Sequence, residues 1–313
     1  MRWKLKVLSL IEVREPYFAL TKLELDVPGR VSAHILAEQP RGHELGALPA
    51  AEAGRHLAIA GSCACASLQA DSGKHFYLAN RAHLRRVSDS SPDASVLLHV
   101  DARAVQRDRR QARAECALRD NLGRTLYALD VSYTVLQERV FQRLFSAHRQ
   151  DLRLTPRASS PVASFEHLRK NPYREAFPFV HTRLDAEHGV ARLAELPAHL
   201  CAGHFPLYPA MPVAVLMYGL SSLSGDVLRA HYGELTRYHV QDARVQADNL
   251  AFAGQSLDFR ARWLARAGDD ELFEASATLD DGTVVGAMQL SLRRVGAGHQ
   301  ARERRQEGSH AVQ

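Results

Sequence analysis

A faint internal repeat constrains the fold of this chain more than any other feature. Residues 114–133 and residues 274–292 each predict a strand, a turn with Asp or Asn close to Gly, and a returning strand. The same order of elements precedes both hairpins: an opening hairpin, one long helix and then strands. The repeat therefore predicts two similar α+β halves, each with several antiparallel strands after its helix.

The two predicted helices are apolar around their whole circumference, which is typical of a helix that is buried on every side. They span residues 50–68 in the first half and 213–230 in the second. A sheet that wraps around a long central helix satisfies this pattern in both halves. Opening hairpins and alternating apolar and polar residues predict the strand regions, which are 19–38, 75–87, 96–107, 180–195, 238–248 and 255–267.

Pro and Ser are concentrated between the halves, in residues 155–164, which makes this stretch the best linker candidate. Apolar residues between 137 and 171 also predict a connecting helix, to which the sequence assigns no chemical role. The predicted division of the chain is a first half, a linker, a second half and a disordered tail, at residues 1–150, 151–172, 173–296 and 297–313.

Composition excludes several classes of protein. With 313 residues, 46% of them hydrophobic, the chain can bury a core, but its apolar runs fall far short of the roughly 18 to 20 residues that span a bilayer. Glu12, Arg14 and Glu15 interrupt the apolar stretch near the N-terminus, so no signal peptide is predicted. Four scattered cysteines argue against a disulfide framework and a zinc site. We therefore expect a cytoplasmic protein without a membrane span, a metal or a cofactor.

The chain has a net charge of +5, but its sequence contains no nucleic-acid-binding motif, so we expect no nucleic-acid partner. The densest basic clusters are residues 107–113 and 302–305. We interpret the first as a solvated face and the second as part of the tail.

The most specific segment is a proline-rich stretch that leads into the second helix. It opens with His204, Phe205 and Pro206 and closes with Pro212 and Val213. Its prolines enforce an extended, rigid backbone, and proline is favoured at the start of a helix. A histidine on such a segment, just before a buried helix, lies where a pocket opens.

The run from His204 to Pro212 resembles the active-site motif of the bacterial 3-hydroxyacyl-(acyl carrier protein) dehydratases, which have the hot-dog fold. Because the predicted elements match that fold in both halves, the resemblance implies a tandem, or double, hot-dog fold. It also implies that His204 is the base that removes a proton beside the thioester carbonyl. In the family a carboxyl on the helix protonates the leaving hydroxyl.

Two positions depart from the family's pattern. Tyr218 stands where the carboxyl is expected, and Val213 replaces the glycine that usually follows the last proline. Tyr218 is thus the candidate partner of His204, as a hydrogen-bond donor or as a weak acid with an ordinary pKa near 10. The alternative is that Tyr218 is an amphipathic core residue.

Further candidates come from the first helix, because the sites of paired hot-dog halves form at their interface. His56 is either a second catalytic group or a structural histidine. Ser62 and Cys63 are predicted to border the substrate, as are the motif residues Phe205, Pro206, Pro212 and Val213. Small residues either leave room for an acyl chain or permit close helix–sheet packing, and they are Ala58, Ala60, Gly61, Ala64 and Ala66.

Three functions remain open. The His-Phe-Pro run favours a dehydratase that acts on a 3-hydroxyacyl thioester in fatty-acid or polyketide-type biosynthesis. Loss of the carboxyl favours a thioesterase or acyl transferase, or a non-catalytic acyl-binding partner in such a pathway. The expected partners are an acyl carrier protein or a coenzyme A thioester, to which a modestly basic surface is suited. Since two halves already complete one hot-dog pair, the chain can act as a monomer. The alternative is a homodimer of such pairs.

Overall fold

A computed structural model of the chain describes residues 10–25, 27–70, 73–88, 97–150 and 171–295. Within these residues, each half contains a short opening hairpin, a long helix and then four strands. The predicted linker lies outside the described residues except for its last two positions, and the predicted tail lies wholly outside them.

The first half begins with the hairpin of β1 (Thr21–Glu24) and β2 (Arg30–Ile35), which helix α1 (Ala50–Ala66) follows. Its other strands are β3 (His75–Arg86), β4 (Leu98–Arg107), β5 (Gln111–Arg119) and β6 (Thr125–Gln137). A short helix, α2 (Glu138–Leu144), and a 3-10 turn at Ser146–His148 come next. The second half repeats the order with β7 (Val180–Leu184), β8 (His188–Leu193), α3 (Val213–Tyr232), β9 (Tyr238–Gln246), β10 (Leu257–Ala267), β11 (Asp270–Leu279) and β12 (Val284–Arg294).

The twelve strands of the described residues belong to one sheet, in the order β1-β2-β4-β5-β6-β3-β9-β12-β11-β10-β8-β7. The halves join through β3 and β9, whose antiparallel register pairs Arg81 with Gln246 and Arg85 with Asp242. We call this junction the seam. The His83 imidazole lies 2.6 Å from the Asp242 carboxylate across it. The seam turns two half-sheets into one continuous surface.

Both long helices pack on the same face of this sheet and contact each other. Alternate strand residues that face the helices are apolar and buried, because successive side chains of a strand point to opposite faces. Leu57 of α1 and Leu220 of α3 are among the fully buried helix residues. The predicted buried helices, with an antiparallel sheet around them, are therefore confirmed. No helix of the described residues is long and apolar enough to cross a membrane.

Small residues on α1 serve two different purposes. A Cβ on Gly61 would lie 2.6 Å from Tyr133 Oη and 3.0 Å from Ala114 Cβ. The Tyr133 hydroxyl donates to the Ala58 carbonyl at 2.6 Å, so it is fixed in place. A Cβ on Gly54 would meet no heavy atom of the described residues within 4 Å. Gly61 therefore permits close packing of α1 on the sheet, whereas Gly54 borders open space.

Two substitutions in α1 test this packing. We expect Gly61→Ala to destabilise the protein by about 1–3 kcal/mol, because the added methyl group overlaps the fixed Tyr133 hydroxyl. Gly54→Ala is the matched control. Because alanine has a higher helix propensity than glycine, this substitution should leave the free energy of unfolding unchanged or raise it by up to about 1 kcal/mol. Urea unfolding of both variants measures the difference. Equal effects would show that α1 does not pack closely on β5 and β6 at Gly61.

Candidate functional site

A cavity of about 380 Å³ lies between the two long helices and the seam. Its floor consists of two rows of inward-facing residues that run across β6, β3, β9 and β12. Both halves contribute to each row, so the cavity depends on the joining of the half-sheets. The rows are Leu129, Leu84, Ala243 and Leu290, and next to them Val131, Ala82, Val245 and Met288.

The helices supply the walls of this cavity. Helix α1 contributes Ala51, Gly54 and Ala58, and α3 contributes Ala214 and Met217. Because the α1 side chains are so small, an open volume remains between the helices. Among the small residues singled out in the sequence, Ala58 lines the cavity, whereas the others lie outside its lining; these are Ala60, Gly61, Ala64 and Ala66.

The proline-rich segment borders one end of the cavity and is held there by the N-terminal segment. The Arg14 amide donates to the Gly203 carbonyl at 2.7 Å, and Val13 forms an antiparallel bridge with His204. Gly203 has a φ of 80°, and a Cβ there would overlap the Arg14 carbonyl and lie 2.7 Å from the Tyr17 nitrogen. Glycine satisfies both constraints and so fixes the backbone just before His204.

The imidazole of His204 is held in one tautomer. Its Nδ1 lies 2.9 Å from the Ala210 carbonyl oxygen, and because a carbonyl only accepts, Nδ1 carries the proton and Nε2 is the basic nitrogen. Burial lowers the pKa of His204 from 6.5 to about 4, although the hydrogen bond to Ala210 opposes this shift. The ring lines the cavity, edge-on to Tyr17 at 5.2 Å and stacked on Phe205 at 3.9 Å. The site therefore presents a neutral imidazole base at neutral pH.

The first turn of α3 borders the cavity together with His204. Pro212 is the N-cap residue, and no side chain of the described residues caps this helix. Val213 and Ala214 line the cavity, and first-turn amides have no acceptor within their own helix. These amides and the helix dipole favour a developing negative charge at this place.

Tyr218, the predicted partner of His204, is directed elsewhere. Its hydroxyl donates to the Pro40 carbonyl at 3.4 Å, and Tyr218 is not among the residues that line the cavity. Burial, with smaller contributions from the Glu44 and Glu52 carboxylates, raises the pKa of Tyr218 to about 12. The structure does not bring the predicted pair together.

His56 lies in a buried ionic cluster and not in the lining of the cavity. Its Nε2 lies 3.4 Å from Glu52 Oε1 and 3.2 Å from Arg55 Nη2. The Arg55 guanidinium donates to the Glu38 carboxylate at 2.6 Å. Glu52 accepts from the backbone amides of Glu38 and Gln39 at 2.7 and 3.1 Å. The cluster thus ties the segment that follows β2 to the first turns of α1.

Three members of this cluster have the spacing of metal ligands. Ligand atoms of Glu38, Glu52 and His56 lie within 4.8 Å of one another. However, the Arg55 guanidinium lies among them, so the chain itself supplies a cation at this place. Burial and then the charge of Arg55 lower the pKa of His56, which keeps the imidazole neutral. We interpret the group as an ion-pair network that holds the start of α1.

The remaining predicted residues are divided between the cavity and its surroundings. Ser62 lines the cavity, and its hydroxyl donates to the Ile59 carbonyl at 2.8 Å. Cys63 is fully buried, and burial raises the pKa of its thiol to about 12, so it is inert as a nucleophile at neutral pH. Val213 lines the cavity, whereas the other motif residues lie outside its lining; these are Phe205, Pro206 and Pro212.

Sequence reasoning missed two tyrosines beside His204. Tyr17 lines the cavity, and the ring of Tyr173 lies 5.6 Å from the ring of Tyr17. The Tyr173 hydroxyl donates to the Ala202 carbonyl at 2.7 Å, which helps to hold the backbone that leads into His204. Neither tyrosine is part of a motif. The one signal that the sequence offers is that each follows a proline directly, at positions 16 and 172.

Comparisons with solved structures identify the fold. Acyl-CoA thioesterase II from Mycobacterium marinum gives a TM-score of 0.52 at 13% identity, over 88% of this chain and 97% of that one. An acyl-ACP thioesterase from Bacteroides thetaiotaomicron gives 0.51 at 13% identity, over 85% and 98%. A conserved protein of unknown function with a hot dog fold, from Alicyclobacillus acidocaldarius, gives 0.55 at 12% identity, over 91% and 99%.

No family model and no curated protein sequence matches the chain. At these identities the likeness to solved structures shows the fold alone. The chain has the double hot-dog fold that the sequence predicts.

Proposed function

We propose that the protein is a thioesterase, an acyl-thioester hydrolase in which His204 activates the attacking water. The observation that carries this proposal is a neutral imidazole at the end of an apolar cavity, with no buried acid among the described residues of its lining. Among the described residues that line the cavity, the only acidic side chain is Asp248, which is exposed and accepts a hydrogen bond from Gln246 Nε2 at 2.5 Å.

The cavity matches the apolar part of such a substrate. Its floor is aliphatic, and its α1 wall is formed by small residues. An acyl chain that enters this space gains about 0.8 kcal/mol for each methylene removed from water. Two of the solved structures that share the fold are named as thioesterases, one for acyl-CoA and one for acyl-ACP.

The missing acid distinguishes hydrolysis from dehydration. Dehydration expels the hydroxyl group as hydroxide, whose conjugate acid, water, has a pKa of about 15.7. It therefore needs a proton from a nearby acid. Hydrolysis expels a thiolate, the conjugate base of a thiol with a pKa of about 8.5, which leaves with much less assistance. The Tyr218 hydroxyl donates a hydrogen bond to the Pro40 carbonyl, and Tyr218 is not part of the cavity lining. The arrangement is therefore better suited to hydrolysis.

The proposed reaction uses His204 and the start of α3. The thioester carbonyl oxygen accepts hydrogen bonds from the backbone amides of Val213 and Ala214. These amides stabilise the negative charge that develops on the oxygen. As a water oxygen attacks the carbonyl carbon, Nε2 of His204 accepts the water proton. The carbon–sulfur bond then breaks, and the imidazolium returns that proton to the departing sulfur. The products are a carboxylic acid and a free thiol.

A dehydratase is the second candidate, because the run His204, Phe205 and Pro206 is retained. In that reaction His204 would remove the proton beside the carbonyl, and a group other than Tyr218 would have to protonate the leaving hydroxyl. Free thiol is released in hydrolysis and not in dehydration, so the two candidates give different signals.

Removal of the imidazole is the direct test of this proposal. The protein is incubated with saturated acyl, 3-hydroxyacyl and enoyl thioesters, and free thiol and enoyl absorbance are followed together. We expect thiol release that falls by on the order of 10²-fold or more in His204→Gln, because a positioned general base contributes at least that much. Tyr218→Phe is the control and should retain activity within a few-fold. Enoyl formation without thiol release would reject hydrolysis in favour of the dehydratase.

The lowered pKa of His204 predicts an unusual pH profile. His204 acts as a base only when neutral, and a pKa of about 4 keeps it neutral well below the ordinary value of 6.5. The quantity kcat/KM should therefore stay constant as the pH falls through 6.5 and decline only near pH 4. Rates are measured over this range, with folding checked by circular dichroism at each pH. A decline centred near the ordinary histidine pKa would contradict a buried, neutral base.

A further inference from the structure

The short helix α2 forms one side of the cavity mouth. Leu144 at its end and Phe145 just after it line the cavity, and Leu144 is 58% exposed, so the cavity meets solvent here. Asp248 and Asn249 line the cavity as well and are also exposed. The helix is anchored to the His204 segment, because the Phe141 and Phe205 rings lie 5.3 Å apart. A ligand that leaves the cavity at Leu144 therefore emerges next to the end of α2.

This side of the mouth carries three exposed arginines, which we call the rim arginines: Arg139, Arg143 and Arg149. Arg139 and Arg143 are four residues apart on α2 and so project from the same face of the helix. Arg149 follows the 3-10 turn at Ser146–His148. Within this turn His148 stacks on Phe252 at 4.0 Å. None of the three has an ion-pair partner among the residues that the structure describes.

Many arginines on the outer face of the sheet differ in this respect. Arg262 lies 2.6 Å from Glu274, Arg119 lies 3.1 Å from Asp101, and Arg85 lies 3.0 Å from Asp130. The surface therefore neutralises many of its arginines within the chain, whereas the rim arginines have no ion-pair partner among the described residues. The exposed Asp248 carboxylate also lines the mouth, but it forms no ion pair with them. Uncompensated guanidinium groups at a cavity mouth attract an anionic part of a ligand.

We propose that the rim arginines bind the phosphate that ends the pantetheine arm of the thioester. This inference rests on the proposed function, since it assumes that the ligand of the cavity is an acyl thioester. A guanidinium donates two parallel hydrogen bonds to phosphate oxygens, and such charge-assisted bonds are strong. The same phosphate chemistry occurs in coenzyme A and in the phosphopantetheine group of a carrier protein.

The geometry follows from the site. With the reacting carbonyl at His204 and the acyl chain over the seam, the sulfur-bearing arm has to leave through the open side of the cavity. The side chains at that opening are Leu144, Phe145, Asp248 and Asn249, and of these four only Asp248 is acidic. The uncharged arm can therefore pass Leu144, Phe145 and Asn249. The rim arginines are exposed and lie on both sides of Leu144 and Phe145 in the chain, so we place the first phosphate of the arm beside them.

Binding of coenzyme A, phosphopantetheine and pantetheine to the intact protein tests this inference without relying on catalysis. Calorimetry should show that coenzyme A and phosphopantetheine bind more tightly than pantetheine. In Arg139→Gln/Arg143→Gln the Kd of both phosphate-bearing ligands should rise by roughly tenfold or more, and that of pantetheine should not change. Arg260→Gln, which removes an exposed charge from the outer face, is the matched control and should bind all three like the wild type.

Three outcomes would overturn the inference. They are equal affinity for pantetheine and its phosphorylated forms, no effect of the double substitution, and an equal loss for all three ligands, which would indicate a structural change in α2. Melting temperatures of the variants check that the fold is intact. A carrier protein with and without its phosphopantetheine group, compared with coenzyme A, identifies which source the rim arginines serve.

Hydrolysis of an acyl N-acetylcysteamine thioester, which has no phosphate, separates this inference from the proposed function. The rim variants should hydrolyse it like the wild type. If the wild type releases no thiol from any thioester, the proposed function fails, whereas the binding measurements still decide the role of the arginines.

Discussion

The pairing of β3 with β9 is the interaction on which the rest of the structure depends. Each half alone would end in an edge strand, with unpaired backbone groups along it. The seam pairs those groups, and the His83–Asp242 contact at 2.6 Å adds a side-chain link between the halves. Because the seam joins the half-sheets edge to edge, their helices lie side by side on one face. The space that remains between those helices is the cavity.

The two halves contribute different parts of the site. The second half supplies His204 and the start of α3, while the first half supplies the α1 wall and the segment that clamps Gly203. Burial by both halves is what lowers the pKa of His204 to about 4. The ionic cluster around Arg55 holds the first turns of α1 in place. The basic group and its apolar cavity thus come from the fold as a whole and not from one motif.

Most of the fold could be predicted from the sequence, because strand alternation and all-round apolar helices are local patterns. The proline-rich segment also singled out His204, which lines the cavity, while its role as a base stays a prediction. The direction of the Tyr218 side chain could not be predicted from the sequence. In the structure the α3 face that lines the cavity contains Ala214, Met217 and Ser221. Tyr218 follows Met217, and one residue rotates a helix by roughly 100°. Which face of α3 is turned to the cavity is set by packing against α1 and the sheet, which local sequence does not encode.

A structure of the protein with a non-hydrolysable 2-oxoalkyl thioether, in which a methylene group separates the carbonyl carbon of the acyl chain from the sulfur, tests the central claim most directly. We predict that the acyl chain lies between α1 and α3 above the two rows that cross the seam. The sulfur should lie at the His204 end, and the carbonyl oxygen should accept hydrogen bonds from the first amides of α3. An acyl chain bound within one half alone, or on the outer face of the sheet, would contradict this account.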